Sequence, residues 1–511
     1  MRRSVAIAVA LTALVSAVVP VPTASSAPAN SLTIVTIDRH GHDVRSDASI
    51  TNVQSGTARY VRSGRTLTVR AGTFLVLVDI VDGTDFTETI GAKRVQVSGA
   101  TELTFRARFG RPVHASLDPR PPDHYTRTFQ FSVCTALGIA SLSHYVLGPQ
   151  LYVLPTRLRR VGFAFSVLWG PADSEDPGPR WLGAAGYRNG IPAGAVRHFR
   201  AGALVPMHVS ARRGPQAGRA LFQFNGGGSA DGCLSDVLSV ITYQNLPSSF
   251  TDYVPPGRWG ITEDAQDFMV GRVRNLRLGH AYSMRVNRAV WGPTRELPYT
   301  YAGLRLWLST PEMWFVDPTL SRYGADANVT YRVEHRGQIL LQTRVPGNVF
   351  RIPTKRLPDQ GWYTLTESAV RPPDRLFPGA LSRRAELRFH FHGLGPNTQL
   401  PGYIAQFLPA HLTMRDSAAP GSRTTVSLRI RRDALPGDVV AYPADSVSAI
   451  SVWWSGNRGQ TWHRLPVTHR QGHWAMIVPN PVSGAVSLRA TVIDVYGNST
   501  RTTVIDGYGI G

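Results

Sequence analysis

Long apolar runs are scarce in this chain, and none after the first 30 residues reaches the roughly 20 charge-free residues that a membrane-crossing helix needs. The longest, Val5 to Val19, is mostly Ala, Val and Leu; Arg2 and Arg3 precede it and Ala27-Pro28-Ala29 follows. Basic, apolar and small-residue segments in that order read as a secretory signal peptide over residues 1–29. The mature chain then starts near Asn30 and carries no transmembrane segment. A retained membrane anchor is the alternative for the same stretch. No cysteine lies near the cleavage site, which argues against a lipid anchor.

Cysteine is nearly absent as well. Cys134 and Cys233 are the only two, and in an exported chain two thiols that can meet tend to pair. One disulfide is therefore expected, with two separately buried thiols as the alternative. A loop of that length would make the bridge worth at most roughly 4 to 5 kcal/mol through unfolded-state entropy.

Lysine is missing almost entirely: Lys93 and Lys355 stand against a formal net charge of +21, to which Arg2 and Arg3 contribute two. An excess carried by arginine points to a GC-rich genome more than to selection for phosphate binding. The arginines are scattered, as at Arg59, Arg62, Arg65 and Arg70, and the densest group is only Arg157, Arg159 and Arg160. Such a surface attracts polyanions without selectivity. For an exported protein the anionic cell wall is the foremost of these. Without a nucleic-acid-binding module beside the charge, nucleic acid is not the expected partner; a cell-wall polymer or a secreted protein is.

Helical periodicity is the remaining absence. Gly 48 and Pro 37, with 17% charged residues, suit short strands joined by turns, so the fold class is all-β. The length exceeds what one core serves. A first β-sandwich is expected over 30–118, from strands at Leu32 to Ile37, a pair within Thr66 to Asp82, and a pair within Lys93 to Asp118 turning at Ser98-Gly99. Pro119-Arg120-Pro121-Pro122-Asp123 is a stiff linker. A larger β domain holding both cysteines covers 124–293. A sandwich over 294–393 ends in the alternating strand Glu386 to His392, and an immunoglobulin-like sandwich covers 394–511. In that last unit Asp494-Val495-Tyr496-Gly497-Asn498 is a turn between strands.

Chemistry-bearing residues are few. His390 and His392 share one face of a strand and can chelate a metal, as can His40 and His42, but neither pair has an identifiable third ligand. A solvated strand face is the plainer reading. Carboxylates gather at Asp173, Glu175 and Asp176 and at Glu263, Asp264 and Asp267, in polar sequence that reads as loop rather than as a glycosidase pair. Asn225-Gly226-Gly227-Gly228 lacks the Lys-Ser or Lys-Thr of a phosphate loop and reads as a turn. Ser455 to Trp462 (SGNRGQTW) resembles the Asp-box hairpin of sialidases, with Asn457 in the place of Asp, and marks a hairpin. Trp453 and Trp454 must face opposite ways on a strand. One is core; the other is expected to pack against a neighbouring domain, with a sugar platform as the alternative. No catalytic residue, cofactor site or metal site is assigned.

Ala281 to Pro293 (AYSMRVNRAVWGP), Gly361 to Arg371 (GWYTLTESAVR) and Val486 to Ile510 (VSLRATVIDVYGNSTRTTVIDGYGI) together resemble the non-catalytic region that follows the protease domain in actinobacterial secreted subtilisin-like serine peptidases. The first domain resembles the transthyretin-like module of such proteins. The catalytic triad does not come with the resemblance: His40-Gly41-His42 lacks the His motif and no G-T-S-M occurs. What the resemblance implies is an accessory region without its enzyme. The expected protein is secreted, non-enzymatic and built to bind or position a partner at the cell surface. An extracellular hydrolase with an unrecognised site, or a regulator of a separate peptidase, are the alternatives.

Overall fold

The computed structural model describes residues 30–511 except 136–140, 147–149, 172–175, 215–217, 228–231, 265–271, 294–298, 302–304, 309–313, 320–326, 348–353, 359, 374–375, 377–378, 394–397, 401, 432–446 and 471. The expected signal peptide lies outside the described residues. What is described is all-β: several sheets follow one another along the chain, and the α-helix Gly232–Val237 is six residues long.

The first sandwich shows why some strands read as unbroken apolar runs. The strand Gly72–Val81 (GTFLVLVDIV) is buried along nearly its whole length. Phe74, Val76, Val78 and Ile80 enter one core with Leu32, Ile34 and Phe105, while Leu75 and Leu77 enter a second with Phe129, Phe131 and Phe163. A strand covered on both faces has no reason to alternate. Its seven-stranded sheet also takes in Leu151–Val153 and Ala195–Arg200, from beyond residues 119–123, where the sequence is expected to leave the first domain.

Two local expectations are corrected. Ser98-Gly99 does not close a hairpin. Glu88–Val97 pairs with Gly72–Val81, whereas Ala100–Arg106 runs parallel to Ser31–Ile37, so the turn carries the chain from one sheet to the other. Asn225-Gly226-Gly227 is not a turn but the end of the strand Arg219–Gly227; Gly228 lies outside the described residues. The Gly226 N–H donates to the Leu238 carbonyl at 2.6 Å, and a Cβ at 226 would stand 2.5 Å from that of Leu238. The glycine serves close backbone approach, one of the uses of Gly in a strand.

Cys134, on the strand Tyr125–Thr135, and Cys233, at the start of the helix, form a disulfide across a separation of 99 residues, with Cα atoms 5.5 Å apart. Gly162 makes room for it. A Cβ there would lie 2.7 Å from Cys233 Sγ and 3.3 Å from Cys134 Sγ.

The last part of the chain forms a nine-stranded sheet packed against the four-stranded sheet that holds Ile404–Pro409 and Arg423–Arg431. In the larger sheet the order is Gln338–Val345, Asn328–His335, Trp362–Val370, Arg384–His392, Ser499–Ile510, Ala485–Asp494, Val447–Ser455 and His463–Leu465, with Ser417–Ala418 added beside Ser499–Ile510. Strands from the two expected C-terminal units thus pair directly, Arg384–His392 against Ser499–Ile510. Val329, Tyr331, Leu365, Phe389, Phe391, Leu488 and Val504 share one core beneath them. Every second residue therefore faces away from that core and together they form one continuous outer face.

Candidate ligand-binding face

At one end of this face Trp362 opens the strand Trp362–Val370, with 42% of its surface exposed. Its ring stacks on His390 at 4.8 Å and meets the edge of His392 at 5.6 Å. Phe389 and Phe391 alternate with the two histidines and are fully buried, so core burial fixes which way the imidazoles point. His390 Nδ1 lies 3.2 Å from Thr364 Oγ1. A dish of about 530 Å³ is bounded here by Glu334, Arg336, Trp362, Thr364 and His390. The adjacent turn brings exposed Val495 and Tyr496: a Cβ at Gly497 would stand 3.7 Å from the Trp362 ring.

At the other end Trp453 and Trp454 part as strand geometry requires. Trp454 packs against the core; Trp453 is half-buried on the outer face, paired with Arg464 on one side and Arg489 on the other. The Arg489 guanidinium sits 4.0 Å above the Trp462 ring, and its Nε donates to Thr503 Oγ1 at 3.2 Å. Burial and the nearby Arg501 charge pull the Arg489 guanidinium below its usual range. Between the aromatic ends, Arg501 and Arg388 are cross-strand partners, and Thr366 separates Arg388 from Arg332.

The hairpin that presents Trp462 is held by its own polar residues. Ser455 Oγ accepts the Gly459 N–H at 2.9 Å, Asn457 Oδ1 accepts the Thr461 N–H at 2.9 Å, and Arg458 and Gly459 take φ of 58° and 82°. The 494–498 turn is built likewise: Asp494 Oδ1 accepts from the N–H groups of Tyr496 and Asn498, each at 2.9 Å.

The other chemistry-bearing residues are used locally. His42 Nδ1 lies 3.2 Å from Asp38 and His40 Nε2 3.4 Å from Asp82, so each imidazole has its own carboxylate. Burial pushes the Asp38 carboxyl up, but the His42 backbone N–H and ring outweigh it and hold the group below its usual range. Among the described residues no three His, Cys, Asp or Glu side chains converge as metal ligands. Asp176 Oδ1 accepts the Gly178 N–H at 2.7 Å, while Asp173 and Glu175 lie outside the described residues. Glu263 and Asp264 are on the strand Gly257–Asp264, and Asp267 is outside the described residues.

Trp362 and Arg489 carry much of this face and were not singled out in the sequence. The signal for Trp362 was available: in WYTLTESAV the buried positions are Tyr363, Leu365, Glu367 and Ala369, which leaves the tryptophan facing out. A sheet face with stacking rings and guanidinium groups can hold sugar rings, aromatic groups or oxyanions.

No protein-family model matches the chain, and no curated protein matches it. Among solved structures it is similar to a streptococcal ancillary pilin (8% identity over 50% of this chain and 98% of that one, TM-score 0.12). It is also similar to the major pilin subunit of Bacillus cereus (7% identity, 50% and 98%, TM-score 0.12) and to an α2-macroglobulin from Escherichia coli (9% identity, 90% and 39%, TM-score 0.16). These likenesses carry no argument about function. Among the described residues no helix is long and apolar enough to cross a membrane.

Proposed function

We infer that this is a secreted, non-enzymatic β protein that binds a partner at the cell surface through the outer face of its nine-stranded sheet. The observation that carries the reading is the continuity of that face, with Trp362 and His390 at one end, Trp453, Trp462 and Arg489 at the other, and Arg332, Arg388 and Arg501 between. Cross-sheet pairing fixes their spacing, so the face is pre-organised and binding orders little besides side-chain tips. The disulfide suits an oxidising, extracellular setting. A cell-wall polymer is the favoured ligand because rings stack on sugars while guanidinium groups meet anionic substituents. The resemblance to the region that follows subtilisin-like protease domains makes a separate secreted peptidase the other partner class.

The test is a pull-down with the chain from Asn30 against purified cell wall and secreted proteins, at low and high salt, with Trp362→Ala and Trp453→Ala beside the parent. Wall retention that survives high salt and falls at least about tenfold in the variants supports the reading. Selective capture of a secreted peptidase, lost in the same variants, would assign the accessory role. Binding that vanishes in salt would reduce the face to nonspecific charge and overturn the reading.

A further inference from the structure

A second feature, independent of the sheet face, lies where the middle of the chain meets its last domain. A hollow of about 1150 Å³ is rimmed by Arg213, Arg383, Arg415 and Arg458, with Asp506 as the one acid among its lining residues. These arginines come from four separate segments. Arg213 follows the strand Val205–Ala211, Arg383 precedes Arg384–His392, Arg415 is in the 412–416 loop, and Arg458 is at the hairpin tip. Scattered in sequence, they are gathered by the fold.

The rim is also backbone-rich. Gly379, Gly456, Gly484, Gly509 and Gly511 line it, and a Cβ at Gly379 would stand 3.9 Å from Arg213 Nη1. Asp506 is the second, independent observation. It is 4% exposed, its Oδ2 lies 3.4 Å from Arg458 Nε, and its Oδ1 is buried with no hydrogen-bond partner. Its backbone is fixed from both sides, with the N–H donating to Ser487 Oγ at 3.0 Å and the carbonyl accepting the Ser382 N–H. A buried acceptor left without a donor costs free energy that a ligand's donor recovers. Guanidinium forks match oxyanions. An anion-binding rim with one unsatisfied carboxylate oxygen therefore fits a ligand that carries an oxyanion and a hydroxyl donor close together.

We propose that this hollow binds a hydroxylated oxyanion, a polyol phosphate or its equivalent, with the oxyanion held by Arg383, Arg415 and Arg458 and a neighbouring hydroxyl donating to Asp506. That chemistry occurs on free polyol phosphates and on phosphodiester polymers. The rim also fits an acidic peptide by charge alone, but a peptide rich in carboxylates gives Asp506 repulsion in place of a donor.

Titration calorimetry on the chain from Asn30 at about 0.15 M salt tests this, with glycerol 3-phosphate, poly(glycerol phosphate), inorganic phosphate and hexa-aspartate as probes. The expected result is that a glycerol phosphate binds at least about fivefold tighter than inorganic phosphate. Arg415→Ala and Arg458→Ala should each weaken both about tenfold. Asp506→Asn keeps the shape and the tolerance of φ 56°, removes a negative charge, and should erase the preference while inorganic phosphate binds no worse. Tighter binding of the polymer per phosphate assigns the ligand to a polymer, and equal binding to a free polyol phosphate. Hexa-aspartate binding as tightly as glycerol phosphate, or no change in the exposed-residue variant Arg458→Ala, would overturn the proposal whether or not Asp506→Asn folds. Trp362→Ala and Trp453→Ala should leave these titrations unchanged, which separates this site from the sheet face.

Discussion

Arginine and aspartate meet out of water at two places with different results. Arg180 and Asp252 are register partners within one seven-stranded sheet, their nearest atoms 3.8 Å apart, beyond hydrogen-bond length, and neither Asp252 oxygen has a hydrogen-bond partner. Arg212 and Asp416 lie 204 residues apart. Arg212 Nη1 donates to Asp416 Oδ1 at 2.8 Å, the Ala289 N–H donates to the same oxygen at 3.2 Å, and Arg212 Nη2 donates to the Leu412 carbonyl at 3.2 Å. The first pair has contact without a hydrogen bond; in the second, Asp416 Oδ1 takes two donors while Oδ2 is buried without one. Hydrogen bonds are what offset the desolvation of a buried pair, so the second pair, which has them from Arg212 and from the Ala289 N–H, is the structural joint. It also sets the hollow, because Arg213 and Arg415 are the immediate neighbours of Arg212 and Asp416.

The sharpest way to break the comparison is Asp416→Ala. It strands Arg212 in a buried place, removes the acceptor of the Ala289 N–H, and puts alanine at φ 58° where aspartate is better tolerated. A loss of about 3–5 kcal/mol is expected. Urea melts should show it, with new protease cleavage in the 412–416 loop. Asp252→Ala should cost less, about 1–3 kcal/mol, because Arg180 keeps its 2.8 Å hydrogen bond to the Asp176 carbonyl and its place 5.8 Å over the Phe250 ring. Equal losses at the two sites would erase the distinction.

Acidity tests both pairs together. Burial outweighs the arginine in each and pushes Asp252 and Asp416 up to about 7. A carboxyl whose folded pKa is raised favours the folded state in its protonated form. Its contribution is complete below the unfolded value near 3.8 and is lost as pH rises through about 7. Thermal stability should thus fall between pH 5 and pH 8, by at least about 2 °C. Asp252→Asn or Asp416→Asn should each flatten the slope in differential scanning calorimetry, and an unchanged slope in both would refute the assignment.

The strands were legible wherever one face is buried. In Glu386 to His392 the alternation of Leu387, Phe389 and Phe391 with charged or His residues gave the element and its facing, and Arg384–His392 is the result. The 494–498 turn was legible because Asp, Gly and Asn supply its hydrogen bonds and φ values locally. Which sheets the strands join was not, because pairing such as Arg384 with Ile505 is decided by tertiary packing. The hollow was illegible for the same reason. Its four arginines look like four more members of a scattered surface charge until the Arg212 joint brings two of their segments together.

The smallest expected effect separates satisfaction from mere contact most cleanly. In Arg180→Met/Asp252→Leu both charges leave at once and side chains of similar reach fill the space between Phe250 and the sheet. With no charge to desolvate, no unsatisfied carboxylate oxygens, and the Asp176 carbonyl that loses its donor on an exposed residue that water can reach, the double variant should melt within about 1 kcal/mol of the parent or above it. It should also lose its share of the pH slope. The matching exchange Arg212→Met/Asp416→Leu must leave the Ala289 N–H and the Leu412 carbonyl without partners, and should remain destabilised by about 1–3 kcal/mol. A double-mutant cycle at each site reads the difference directly: a coupling energy of about 1–3 kcal/mol for Arg180 with Asp252 and a larger one for Arg212 with Asp416 is the pattern the geometry requires.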